Sequence, residues 1–107
     1  MNNARRKQLA NWVKEFNVIV ARLNDNITPD ILKDIYELQN KLQNILDDEE
    51  WAFDNMPEGF KNSYNGWVSE NAIDLMGESI ELLDDIIDGK NTSEICKNIL
   101  NNINFIG

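Results

Sequence analysis

The spacing of apolar residues constrains this chain most, because apolar residues recur every three or four positions through three long segments. This spacing places them on one face of an α-helix, whereas a strand would need them at every second position. The three stripes are Leu9, Val13, Phe16, Val20 and Leu23; Ile31, Ile35, Leu38, Leu42 and Ile45; and Ile73, Met76, Ile80, Leu83 and Ile87. The pattern predicts an all-α fold.

Local signals set the ends of these helices. Thr28-Pro29-Asp30 is typical of a helix start, with a capping hydroxyl, a proline at the first position and an acid in the first turn. Pro57 disfavours helical geometry at the preceding residue, and the polar, glycine-containing segment 57–66 indicates a loop. We predict a single domain, residues 1–107, built as an antiparallel helical hairpin or bundle of three to four helices at about 3–24, 29–54, 68–88 and 93–104, with a short break at 25–27.

Composition excludes several classes of function. The chain contains no histidine, which removes His-based triads, common zinc sites and most general-base chemistry near neutral pH. Its single cysteine, Cys96, is typical of a small buried apolar residue. No apolar run is long enough to span a membrane, and Lys14 and Glu15 interrupt any signal-peptide pattern. We therefore predict a non-enzymatic protein without a cofactor, in the cytosol and not in a membrane.

The net charge of −9 is concentrated in one block. Residues 1–46 carry seven basic and five acidic side chains, whereas residues 47–88 carry thirteen acids and only Lys61 as a base. Residues 89–107 are nearly neutral. This balance disfavours direct binding to nucleic acid or to anionic lipid.

The acids of the third long helix are predicted to face away from its apolar stripe as a row of negative charge. Such a row, extended by the acids of 47–54, resembles the charge pattern that a DNA-binding protein recognises. The alternative is a solvated face that keeps the protein soluble. We predict that a protein partner with a basic surface binds Glu49, Glu50, Trp51, Asp54, Trp67, Glu70, Asp74, Glu78, Glu81, Asp85 and Asp88.

Five aromatic residues cluster around the predicted loop: Trp51, Phe53, Phe60, Tyr64 and Trp67. We favour the interpretation that these rings close the end of the bundle, because large rings usually bury most of their area. The other interpretation is a binding hot spot, since aromatic residues beside acids are typical of protein interfaces.

A metal-dependent enzyme is a further alternative. The spacing Glu78-x-x-Glu81-x-x-Asp84 is similar to that in the acidic helices of magnesium-dependent helical nucleotide pyrophosphohydrolases. Magnesium needs carboxylates that converge on one point, whereas these are predicted to point away from the apolar stripe. We therefore rank a metal-dependent enzyme below a non-enzymatic interaction protein.

Three stretches resemble a group of small, acidic, helical proteins encoded by phages and prophages. They are the start Ala4-Arg5-Arg6-Lys7-Gln8-Leu9, the triplet Asp48-Glu49-Glu50, and Phe53-Asp54-Asn55-Met56-Pro57-Glu58. The resemblance covers residues 4–88, whereas the segment 59–66 departs from the group and residues 89–107 extend beyond it. It implies a phage setting and carries over no catalytic residues.

We therefore predict a phage-type interaction protein. Its sharpest form is an inhibitor of a host nucleic-acid-handling defence system, of the anti-CRISPR or anti-restriction type, that acts as a DNA mimic. The alternative is a structural or assembly protein that forms a homodimer through its helical faces.

Overall fold

The computed structural model describes residues 1–23, 27–90 and 92–106, and all regular structure in these ranges is helical. The helices are α1 (Asn3–Arg22), α2 (Pro29–Asp54), α3 (Glu58–Lys61), α4 (Tyr64–Ile87) and α5 (Thr92–Ile106). The prediction of an all-α fold is confirmed. The first two residues of the predicted break, Asp25 and Asn26, lie outside the described residues.

The predicted start of α2 is correct in detail. The hydroxyl of Thr28 accepts a hydrogen bond from the backbone N–H of Ile31 at 3.3 Å, and Pro29 takes the first helical position. The side chain of Asn2 caps α1 in the same way, through the N–H of Arg5 at 2.8 Å. Gly89 adopts φ +82° just after α4, in the left-handed region that glycine tolerates best, and so ends that helix.

The predicted loop at 57–66 is largely wrong, because α3 forms within it and α4 begins at Tyr64 instead of near residue 68. The backbone carbonyl of Ser63 accepts a hydrogen bond from the N–H of Trp67 at 3.0 Å at the start of α4, and the Ser63 side chain makes no cap bond. Gly66 lies inside α4, where a β-carbon would come within 2.1 Å of the Lys61 carbonyl oxygen. The glycine that indicated a loop instead permits the close packing of α3 against α4.

One apolar core joins the four long helices. Its side chains with no measurable exposure come from all four: Phe16, Leu42, Met76, Leu83, Ile86 and Ile99. Trp12 is nearly as buried, stacks on Phe16 with ring centroids 5.1 Å apart, and donates its indole N–H to the Leu38 carbonyl at 2.7 Å. Fully burying one such side chain contributes about 1.5–3 kcal/mol to folding.

The buried face of α4 is rotated from the predicted stripe. Ile73, Ile80 and Ile87 are only half-buried, and the centre of the face is Ala72, Met76, Leu83 and Ile86. Two serines, Ser69 and Ser79, complete it. Their hydroxyls are satisfied, since Ser79 donates to the Leu75 carbonyl at 2.9 Å and Ser69 to a carboxylate of α2.

Side-chain hydrogen bonds fix the register of α2 against α4. Gln39 donates to the Ile80 carbonyl at 3.2 Å and to the Asp84 carboxylate at 2.6 Å, whereas Ser69 bonds Glu49 near the other end of α2. α1 packs on α2, and α5 packs on α4 and on α1. The molecule is a rod of 49 × 21 × 18 Å.

Candidate functional site

The acids of α4 form one exposed face, as the sequence predicts. Five of the predicted partner-binding acids of α4 are exposed: Glu70, Asp74, Glu78, Glu81 and Asp88. Asp85 is half-buried on the same side. The apolar residues of the opposite face pack into the core, so the carboxylates are left to the solvent.

Acids of α2 lie on the same face. Gln39 on α2 and Asp84 on α4 form a hydrogen bond at the surface between these two helices. Residues in line with them along each helix lie on the same side of the α2–α4 pair. Glu50 lies about three helical turns after Gln39, and Glu70 about four turns before Asp84, so both acids share that side. Asp47 and Asp54 lie within about one turn of Glu50, and both are exposed. We call these acids of α2 and α4 the acidic face.

Most of this charge has no nearby cation. Lys90 pairs with Asp85 at 3.0 Å, and Gln39 and Gln43 donate to Asp84 and Asp47. Among the described residues, no ion pair forms at Glu50, Asp54, Glu70, Asp74, Glu78, Glu81 or Asp88. The acidic face therefore remains free to pair with cations of another molecule.

The length of the acidic face suits a macromolecular partner. Glu70 and Asp88 lie about 27 Å apart along α4 at 1.5 Å per residue. The carboxylates of both helices supply about one charge per 3–4 Å of that length, whereas B-DNA carries one per ~1.7 Å. The acids near the end of α2 raise the density of negative charge beside the first half of α4.

Glu49 does not belong to the acidic face, although the sequence analysis placed it among the partner-binding residues. It is 1% exposed and accepts a hydrogen bond from Arg5 Nε at 2.6 Å and another from Ser69 Oγ at 2.6 Å. The ammonium group of Met1 lies 3.5 Å from the same carboxylate. Glu49 therefore joins α1, α2 and α4 inside the protein and is almost completely shielded from solvent.

The sequence analysis missed Arg5 and Ser69 as partners of Glu49. The signal that could have found them is Glu49 itself, since a carboxylate at a core position of a helical stripe requires compensating donors.

These partners change how Glu49 titrates. Burial raises the pKa of its carboxyl, but hydrogen bonds from Ser69 and Arg5 and the charges of the N-terminal ammonium and Arg5 outweigh burial and lower the pKa below the ordinary 4.5. The ionised form therefore stabilises the fold.

We expect a loss of stability in acid that depends on Glu49. The contribution of Glu49 is complete above the ordinary pKa of 4.5 and is lost as the pH falls through the lowered folded-state pKa. Chemical unfolding at a series of pH values below about 5 should show a steeper loss for the wild type than for Glu49→Gln. Parallel curves would contradict this role.

Four of the five clustered aromatic residues do not close the bundle, so that interpretation is wrong for them. The exposed fractions are 70% for Trp51, 56% for Phe60, 75% for Tyr64 and 56% for Trp67. Phe53 is half-buried, with the Lys61 ammonium 5.6 Å from its ring centre. The exposed rings are large apolar surfaces available for contacts with other molecules.

Trp67 lies beside a groove at one end of the rod. This groove, which we call the end groove, has a volume of about 700 Å³ and lies among the start of α1, the end of α2, the start of α4 and the end of α5. Its lining includes Arg5, Arg6, Tyr64 and Phe105. Trp51 is not among its lining residues.

The carboxylates of the acidic face do not gather around a point. Over residues 1–23, 27–90 and 92–106, no group of three or more acidic, cysteine or histidine side chains has the geometry to hold a metal ion. The same part of the chain contains no helix with the length and apolar character needed to cross a membrane.

Comparison with protein-family models, curated proteins and solved structures finds no match to this chain. The functional argument therefore depends on the chain's own geometry.

Proposed function

We propose that this chain is a non-enzymatic interaction protein whose acidic face binds a basic surface on a protein partner. The observation that carries this proposal is the exposure of unpaired carboxylates from α2 and α4 on one side of the rod. Complementary charge of this kind steers association and selects partners with lysine and arginine surfaces.

The sharpest form of the proposal is a DNA mimic. A partner that binds nucleic acid already presents a basic channel or groove, and a row of carboxylates about 27 Å long is able to occupy part of it. Given the resemblance of residues 4–88 to phage-encoded proteins, we propose that the chain is an inhibitor of the anti-CRISPR or anti-restriction type, which acts in the host cytosol on a defence system that handles nucleic acid.

A homodimer through the apolar face of α4 has little surface left to use. Ala72, Met76, Leu83 and Ile86 are at most 1% exposed, and α4 packs against α2 and α5 within the chain. We therefore rank self-association below binding to a basic partner.

Charge reversal tests the proposal. We expect that immobilised wild-type protein retains nucleic-acid-binding proteins from extracts of the natural host, and that duplex DNA or high salt releases them. The triple variant Asp74→Lys, Glu78→Lys, Glu81→Lys should bind the purified partner at least tenfold more weakly, because it replaces attraction by repulsion.

The matched control makes the same change in charge elsewhere. Glu37, Asp48 and Glu58 are exposed and make no ion pair with any described residue. Their triple replacement by lysine should leave partner binding nearly unchanged. Equal loss in both triple variants would show that only net charge matters, and affinity that does not depend on salt would contradict the proposal.

A further inference from the structure

We propose that the end groove binds a short peptide segment of a partner protein in which a carboxylate stands next to large apolar side chains. This site differs from the acidic face in position and in charge. The inference does not depend on the function proposed for that face.

The apolar part of the site consists of exposed rings. Tyr64, Trp67 and Phe105 are 75%, 56% and 68% exposed and surround the same groove. Tyr64 and Trp67 are stacked, with ring centroids 6.0 Å apart and ring planes 27° apart, so each ring supports the other beside the groove. Aromatic rings held in this way bind apolar side chains at little cost in conformational entropy, and they dominate the energetics of many interfaces.

The charged part of the site is cationic, in a protein that is otherwise acidic. Glu49, the one acidic residue in the lining, pairs with both Arg5 and the Met1 ammonium. Arg6 donates its Nε–H to the Met1 carbonyl at 3.3 Å and makes no ion pair with any described residue. Its exposed guanidinium is therefore a free partner for a carboxylate, which it is able to bind through two parallel hydrogen bonds.

The other polar groups of the groove suit a peptide better than a nucleotide. The side-chain amides of Asn65 and Asn71 lie in the lining, and an amide both donates and accepts, as a peptide group does. Of the cations in the lining, only Arg6 is exposed and outside the Glu49 cluster. One guanidinium pairs with a single carboxylate through two hydrogen bonds, whereas a phosphate group carries nearly two charges and is usually held by several donors. A long polyanion would also meet the repulsion of the net charge of −9.

Selection from a yeast-displayed library of random short peptides, with the full chain as bait, tests this inference. We expect the enriched peptides to carry aspartate or glutamate beside leucine, isoleucine, phenylalanine or tryptophan. A synthetic enriched peptide, measured by fluorescence polarisation, should bind Arg6→Glu and Trp67→Ala about tenfold more weakly than the wild type.

Two matched variants serve as controls. Lys33→Glu makes the same charge change at an exposed residue outside the groove, and Trp51→Ala removes an exposed indole that is not in its lining. Both should bind the peptide as the wild type does. Circular dichroism of Arg6→Glu and Trp67→Ala should match that of the wild type, because both residues are exposed.

Three outcomes would overturn the inference. They are enrichment of peptides without a carboxylate, binding that persists in Trp67→Ala, and displacement of the peptide by adenosine monophosphate or inorganic phosphate at comparable concentration. The triple lysine variant of the acidic face should still bind the selected peptide, so failure at one site is distinguishable from failure at the other.

Discussion

Replacing Arg5 by methionine is expected to lower the free energy of unfolding by about 3 kcal/mol, because the buried Glu49 carboxylate keeps only Ser69 and the Met1 ammonium as partners. Arg5 Nε lies 2.6 Å from Glu49 Oε1, and the two side chains are 18% and 2% exposed. The partial exposure of Arg5 places the expected loss at the lower end of the range for buried ion pairs. Urea unfolding followed by circular dichroism measures it.

The adjacent arginine is the matched control. Arg6→Met removes a guanidinium that is exposed and makes one long hydrogen bond, so it should change stability by no more than about 0.5 kcal/mol. The double variant Arg5→Met, Glu49→Leu should recover part of the loss, because it removes the buried carboxylate together with Arg5, while the Met1 ammonium and Ser69 lose their acceptor. Equal effects of Arg5→Met and Arg6→Met would show that the buried pair contributes nothing specific.

Gly66→Ala is expected to destabilise the protein by about 3 kcal/mol, at the upper end of the usual cost of overpacking. The added methyl group would lie 2.1 Å from the Lys61 carbonyl oxygen and 2.6 Å from that of Phe60. Both atoms belong to the backbone, so the clash is relieved only if α3 moves away from α4.

Gly77 gives the opposite expectation on the same helix. A β-carbon there would have no neighbour within 4 Å, so Gly77→Ala should stabilise the protein by about 0.5–1 kcal/mol through helix propensity. The two variants share one chemical change and differ only in their surroundings. If Gly66→Ala raised the denaturant midpoint as Gly77→Ala is expected to, the close contact between α3 and α4 would be wrong.

The parts of the fold that were predictable from the sequence are those set by local chemistry. The start of α2 follows from Thr28 and Pro29, and its buried stripe follows from a regular spacing that no polar residue interrupts before Glu49. The exposure of the α4 acids was predictable for the same reason, because carboxylates avoid a core that already has enough apolar residues to fill it.

The remaining features depend on tertiary contacts. Ser69 and Ser79 resemble surface residues in the sequence, because the partners of their hydroxyls are not apparent there. The predicted stripe of α4 therefore left them out and pointed in a different direction from the buried face. Gly66 resembles a loop residue in the sequence, because its close contact with the Lys61 backbone is a tertiary contact. The end groove brings together residues from both ends of the chain, Arg6 and Phe105 among them, and no local pattern joins them.

The placement of the acids on one long side of the rod has a consequence for how the molecule approaches other molecules. Lys7, Lys14 and Lys97 are exposed on α1 and α5, whereas the acidic face lies on α2 and α4. This separation of charge across the short dimension of the rod gives it an electric dipole perpendicular to its long axis. A positively charged surface exerts a torque on that dipole over about a Debye length, ~8–10 Å. If the acidic face binds a basic partner as proposed, this torque turns the rod broadside before contact, so that more collisions begin in the orientation needed for binding.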